Sequence, residues 1–263
     1  GALIDVIYDP DGSRIYIDGA RHSLDEVAEV IGAKRESSDK PYEFTVHIKA
    51  SGDTRMGIID DIKMELRKCK ALKVRYEAPE RIIDRRLPPA PDQSAGDQEA
   101  KFIAPEDWAV DVSRRNLITF RINSADKVLM STDRSIRVNE HYICDIDDFD
   151  VKRLKEMIAN PERKKTLPET EVRDITMPDG SVRQFEVSKA MVSYGIDRGT
   201  SYTAYTKGME MIMTAYKELR EDFSKEVFGK PLSELTDAET QTVYLAIPLI
   251  VSEATPKNVP QRR

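Results

Sequence analysis

The sequence holds few of the residues that build reactive, stapled or membrane-spanning structures. There are two cysteines, Cys69 and Cys144. They lie in different halves and match no metal or redox spacing, so they read as two buried or half-buried thiols, with a disulfide between them left open. The three histidines are His22, His47 and His141. No pair of them has metal-ligand spacing, and no Ser or Cys sits in a nucleophile motif. Glycine is scarce, at 12 residues, and no Gly-rich phosphate loop is present. The longest apolar run, Val243 to Val251, is interrupted by Pro248. It is about half of the roughly 20 residues that a membrane helix needs. No signal-peptide pattern opens the chain, which begins at Gly1 rather than Met and is expected to have lost upstream sequence. Positive charge is not in excess either. The net charge is -6 and the pI about 5.4. Without a broad basic surface to replace phosphate counterions, nucleic acid is excluded as the main partner.

What remains is a composition that folds. Apolar residues make up 40% and charged residues 33% of 263. That supports at least one true core and leaves room for two domains of ordinary size. A break in composition falls between about Pro79 and Pro105. It contains Leu87-Pro88-Pro89-Ala90-Pro91 and then the polar stretch Asp92 to Gln98. Proline-rich sequence favours extended, solvated backbone, and the polar stretch has little to bury. The expected organisation is therefore a first domain over 1–79, a linker over 80–112 and a second domain over 113–258.

The first half alternates clearly. Asp5-Val6-Ile7-Tyr8, a turn at Asp9-Pro10-Asp11-Gly12, and Arg14-Ile15-Tyr16-Ile17 predict a hairpin. Ser23 and Glu26 form a capping box at the start of a helix that runs to about Ile31. Phe44 to Ile48 predicts a strand. A longer helix from Asp53 or Thr54 places Ile59, Ile62, Leu66 and Cys69 on one stripe. Leu72-Lys73-Val74-Arg75-Tyr76 closes the half as a strand. The order is β-β-α-β-α-β, and one sheet with two helices on one face would bury every stripe.

The second half repeats that order with longer pieces. Leu117 to Ile122 and Val128 to Met130 predict a hairpin, and Asp147 to Ala159 a helix. A polar excursion with a turn at Met177-Pro178-Asp179-Gly180 comes next. Ala190 to Tyr194 reads as a strand, Tyr202 to Phe228 as a long helix stopped by Gly229, and Thr236-Asp237-Ala238-Glu239 as a second capping box. Pro248 to Ser252 is the last strand. The halves match in element order, not in residue identity. The fold class is α+β, with two mixed sheets carrying two or more helices on one face.

Several segments together resemble the ExbD/TolR family of biopolymer transport proteins. The first half is similar to the short type found in Bacteroidetes, through Arg14-Ile15-Tyr16-Ile17-Asp18-Gly19, Thr45-Val46-His47-Ile48-Lys49-Ala50, Met56 to Lys63, and Ala71 to Tyr76. The second half resembles the long type, through Arg86-Leu87-Pro88-Pro89, Asp197-Arg198-Gly199-Thr200-Ser201-Tyr202, Ala215-Tyr216, Leu219-Arg220, Phe228-Gly229 and Ile250 to Ala254.

The resemblance implies a non-enzymatic protein on the periplasmic side of the bacterial inner membrane, without cofactors. A single membrane helix would carry a proton-coupling aspartate inside an ExbB-like channel. The periplasmic part would couple proton motive force to a TonB-like protein, and so to outer-membrane transport. Homo- or heterodimers of ExbD-like domains are expected partners. The alternative is a TolR-like component of a Tol–Pal system that binds peptidoglycan. The membrane helix is missing from this sequence, so the proton-coupling residue cannot be assigned. In the long type, the Arg-Leu-Pro-Pro segment follows the membrane helix, whereas here it follows a complete short-type domain. That suggests a fusion of two ExbD-like regions with a seam near Pro79 to Asp84.

The candidate partner-binding residues are Leu72, Lys73, Val74, Arg75 and Tyr76, together with Leu249, Ile250 and Val251. At a sheet edge such strands could accept an added strand. The resemblance associates this region with pairing to a TonB-like protein or a second copy. Lys73 and Arg75 would then either steer an acidic partner or only guard the edge against aggregation, and the sequence does not choose. The acidic run Cys144 to Asp150 lacks the glycine and distant glutamate of an EF-hand loop and reads as a helix start. Arg198-Gly199-Thr200-Ser201 reads as a helix cap more readily than as an anion site.

Overall fold

The computed structural model describes residues 1–7, 12–89, 113–132 and 141–253. Asp9 to Asp11 of the expected first turn and the polar stretch Asp92 to Gln98 lie outside the described residues.

The first half builds one six-stranded mixed sheet. Strands β1 (Ala2–Ile7) and β2 (Arg14–Ile17) pair antiparallel, with Ala2, Ile4, Val6, Ile15 and Ile17 all inward. A third strand, β3 (Ala20–His22), follows the turn at Asp18 and Gly19, both at positive φ. Asp-Gly is a sequence suited to a tight hairpin turn of that shape. Helix α1 (Val27–Glu36) enters through a short 3-10 turn, where the Ser23 N–H donates to the Glu26 carboxylate at 2.7 Å. Strand β4 (Thr45–Ala50) lies parallel to β1, and helix α2 (Met56–Lys68) follows. Met56, Ile59, Ile62 and Leu66 of α2 are fully buried, the three-and-four spacing of a helix face. Strand β5 (Lys73–Ala78) lies parallel to β4, and β6 (Arg81–Arg86) folds back antiparallel on β5. The order across the sheet is β3-β2-β1-β4-β5-β6.

The second half repeats the plan. Strands β7 (Leu117–Ile122), β8 (Lys127–Ser131) and β9 (His141–Asp145) make an antiparallel meander. Helix α3 (Val151–Ala159) follows, capped by Asp150, and then a hairpin of β10 (Thr170–Thr176) and β11 (Val182–Ser188). Strand β12 (Met191–Ile196) is parallel to β7. Helix α4 (Tyr202–Phe228) keeps the bounds expected from sequence, with Ser201 accepting from the Ala204 N–H at its start and Gly229 at φ +70° closing it. Helix α5 (Asp237–Ala246) opens on the Thr236–Glu239 capping box, and β13 (Val251–Glu253) lies parallel to β12. The sheet order β13-β12-β7-β8-β9 is that of β5-β4-β1-β2-β3, with the same parallel and antiparallel relations. The chain is thus α+β, with two topologically equivalent mixed sheets.

The halves are joined by a local two-fold. The loop before α2 and the loop before α4 meet at an antiparallel bridge between Arg55 and Ser201. Met56 N–H donates to Thr200 O at 2.9 Å, and Tyr202 N–H to Thr54 O at 2.8 Å. Gly57 N–H donates to Arg198 O, and Thr203 N–H to Gly52 O. Each bond has a counterpart with the roles of the halves exchanged. A chain of aromatic rings crosses the same boundary, from Phe149 through Phe120, Tyr194 and Tyr205 to Tyr76, with centroids 5.1 to 5.9 Å apart. Each such contact contributes about 0.5–1.5 kcal/mol beyond its buried area. One continuous core therefore runs through both halves.

Two expectations change. The segment 80–112 is not linker throughout, because β6 occupies its first part and Leu87 is buried in the core. The Arg67 guanidinium also donates to Pro89 O at 2.9 Å. Arg86-Leu87-Pro88-Pro89, likened above to the long type of the second half, therefore packs with the first half. The polar excursion is the β10–β11 hairpin, whose small satellite core of Ile175, Val187 and Ala246 packs beside Phe185 and Phe223.

Candidate interaction surfaces

The residues singled out for strand addition fall in two different settings. Strand β5 has β4 on one side and β6 on the other, so Lys73, Val74, Arg75 and Tyr76 offer no open edge. Leu72 O already accepts from the Leu87 N–H at 2.7 Å. Val74 and Tyr76 are buried inward. The expectation of an edge at Leu72 to Tyr76 is therefore corrected. A strand written in residues that the sequence reading gave to the linker covers it, and its charged run Arg81, Asp84, Arg85, Arg86 carries little strand signal.

The edge has moved to β6. In an antiparallel pair, backbone groups bond the partner at alternate residues. The Leu87–Leu72 bond sets that alternation, so the backbone of Ile82, Asp84 and Arg86 faces away from β5. Among the described residues no strand pairs with that side. The side chains of the same three residues stand on the open face of the sheet, where Ile82 is 65% exposed. Strand β13 is likewise unpaired on one side among the described residues, as are β3 and β9 at the far ends of the two sheets. Val251 pairs with Val192, Ile250 O accepts from the Val192 N–H, and Leu249 packs on the core. Leu249 and Ile250 precede the strand rather than belonging to it, and only Val251 lies within it.

Beside β6 the open face dips into a shallow basin of about 420 Å³ lined by Thr45, His47, Lys73, Arg75, Asp84 and Arg86 among others. Arg75 donates two hydrogen bonds to Asp84, at 2.6 and 2.9 Å, which hold that carboxyl below its ordinary range. His47 Nδ1 lies 2.6 Å from the Glu77 carboxylate. Lys73 and Arg86 face each other in register.

The opposite face of the β5–β6 hairpin belongs to the seam. Arg85 and Lys63 both reach Glu253 of β13, at 3.1 and 3.0 Å, and the Tyr205 hydroxyl donates to the same carboxylate at 3.1 Å. Burial pushes the Glu253 carboxyl up, but Lys63 and Arg85 outweigh it and hold it below its usual range. Burial likewise works to lower the Lys63 ammonium, yet its neighbours, Glu253 and Asp60 among them, keep it above its usual value. Asp60 goes the other way, since burial raises its carboxyl more than Lys63 and Arg198 lower it. Arg198 holds Asp61 through two bonds of 2.9 and 2.8 Å, and Arg81 holds Glu210 at 2.9 Å. All these pairs except Lys63–Asp60 and Tyr205–Glu253 cross from one half to the other. Sequence reading missed the crossing pairs, because their partners are 129 to 190 residues apart.

The remaining motifs are structural. Cys69 and Cys144 are half-buried and form no disulfide, and burial pushes the Cys69 thiol up. In the acidic run, Asp150 caps α3 and Asp147 pairs with Lys207 at 2.5 Å. Among the described residues no group of three His, Cys, Asp or Glu side chains could hold a metal ion, and no helix is long and apolar enough to cross a membrane. In the Arg-Gly-Thr-Ser turn, Ser201 caps α4, while the Thr200 hydroxyl donates to Ile122 O at 2.9 Å. No family model, no curated protein and no solved structure matches the chain.

Proposed function

We propose that this chain works by holding extended protein segments rather than by transforming a substrate. It would be the periplasmic part of an ExbB–ExbD–TonB-type energy-transduction complex on the inner membrane. The observation that carries this reading is the pairing of two equivalent mixed sheets into one body, with edges at β6 and β13 that no strand among the described residues covers. A bare edge recognises an extended partner through main-chain hydrogen bonds. A continuous core and a hydrogen-bonded seam let a pull at one edge reach the other half without local melting. The ExbD/TolR resemblance of the sequence supplies the partner class: a TonB-like protein at the edges and an ExbB-like channel through a membrane helix outside these residues. No enzymatic role and no cofactor is part of the reading.

The test is co-sedimentation and pull-down of the whole chain. A soluble periplasmic domain of a TonB-type protein should retain the chain, and purified peptidoglycan sacculi should leave it in the supernatant. Retention by sacculi that free muramyl peptides reduce, with none by the TonB-type domain, overturns the reading in favour of the TolR-like alternative.

A further inference from the structure

We infer that the β6 edge takes an acidic, extended peptide strand whose carboxylate is held by Arg86 and, reaching over the open face, by Lys73. The inference rests on the recognition reading above and names the chemistry of one of its sites.

It begins with a local electrostatic conflict. Lys73 and Arg86 are direct register partners on β5 and β6. The neighbouring pair, Leu72 and Leu87, is hydrogen-bonded, so Lys73 and Arg86 form the close, non-bonded kind of pair. Like charges directly opposite on adjacent strands are destabilising. Here the other charges nearby are already engaged. Asp84 is held by Arg75, Glu77 lies against His47, and Glu253 is held by Arg85 and Lys63 on the opposite face. Lys73 and Arg86 have no carboxylate among the described residues. An anion on this side of the basin would relieve the conflict and gain two charge-assisted contacts.

The edge decides which anion-bearing molecule fits. The outward backbone groups belong to Ile82, Asp84 and Arg86, whose side chains stand on the open face, Asp84 and Arg86 lining the basin. A strand added there places alternate side chains on the open face, in line with those three. A carboxylate opposite Arg86 then comes with a residue opposite Asp84 two places along, and a third opposite the exposed Ile82 four places along. The favoured ligand pattern is an acidic residue and an apolar residue spaced i and i+4, in an order set by strand direction. A second copy of this chain suits the edge poorly. Pairing β6 with itself about Asp84 sets Asp84 against Asp84, and that strand's one carboxylate is already held by Arg75.

The experiment is an NMR titration of the whole chain with three synthetic peptides of equal length: acidic with an apolar i+4 residue, the same with Gln for the acid, and the same with Lys for the acid. The acidic peptide should shift the amides of Ile82, Asp84 and Arg86. Its affinity should fall about tenfold on changing the acid to Gln, and further with Lys. Lys73→Gln and Arg86→Gln should each reproduce a similar loss. Lys73→Glu should abolish the preference and raise the melting temperature of the free protein, since it turns the like-charge pair into an ion pair, and that rise also shows that the variant is folded. Equal binding of all three peptides overturns the inference. So does inorganic phosphate competing as well as the acidic peptide, or dimerisation through β6 in sedimentation. Retention by a TonB-type domain without any response to the acidic peptides sinks the inference and leaves the wider reading standing. Response to the peptides without such retention sinks the partner assignment alone.

Discussion

The two halves share one strand order, yet they differ in how the last strand of each is finished. In the first half β5 is followed by β6, which covers its outer side. In the second half no strand among the described residues pairs with the outer side of β13. The second half is enlarged elsewhere: α4 has 27 residues against 13 in α2, and the β10–β11 hairpin and α5 have no counterpart. The common plan thus produces an exposed terminal strand. One copy extends the sheet, with a charged edge, while the other draws its Glu253 inward to the other half's Lys63 and Arg85. Edge charges and inward-pointing charged residues are two ways of restraining indiscriminate pairing.

The largest test of this comparison is Glu253→Ala. It leaves Lys63 and Arg85 facing each other in a poorly solvated site, and we expect a loss of about 3 kcal/mol. Because the core is shared, chemical denaturation should remain one transition, and hydrogen exchange should report the loss in both sheets. A loss confined to β12 and β13 would mean that the halves are independent. Next comes Gly208→Ala in α4. A Cβ there would stand 2.4 Å from Ile122 Cδ1 and 2.5 Å from the Tyr194 hydroxyl, and overpacking of this kind costs roughly 1–3 kcal/mol. Gly57→Ala in α2 is the control, since the atoms nearest its Cβ belong to the Arg198 guanidinium, the first at 3.1 Å, at the end of a long side chain. Denaturant midpoints should therefore separate the two alanines clearly.

Tyr202→Phe is a smaller change. The Tyr202 hydroxyl lies 2.9 Å from both Ile48 O and Glu77 O in the other half, and its loss should lower stability by about 1–2 kcal/mol. The smallest effect concerns pH. Glu253 is held below its ordinary value, so its contribution is complete above the ordinary carboxyl range and is lost as pH falls through its folded value. Asp60 is raised, so ionising it costs stability as pH rises through its folded value. Asp60→Asn should therefore leave the protein equally or slightly more stable at pH 7, by under about 1 kcal/mol, and the gain should vanish in acid. Melting curves across pH for the two variants check both signs.

The elements with strong periodicity were legible in the sequence. Helix α4 carries its own cap at Ser201 and its own stop at Gly229, so both bounds follow from local chemistry. The repeat of element order was visible for the same reason. The third strand of each meander was not. Ala20, Arg21 and His22 are too few, and too polar, to alternate, and only the turn at Asp18 and Gly19 gave notice of β3. Strand β6 was hidden by its charges, which serve the seam on one face and the basin on the other. That one omission moved the candidate site, since an edge is a property of what lies beside a strand and not of the strand itself.

Hydrogen exchange of the whole chain, with and without a soluble TonB-type periplasmic domain, tests the central claim most directly. The outward amides of Ile82, Asp84 and Arg86, with those of Val251 and Glu253, should gain protection, while Val74 and Tyr76 should be unchanged because their backbone is already paired. Protection that rises on the helices and leaves both sheet edges untouched would contradict the account.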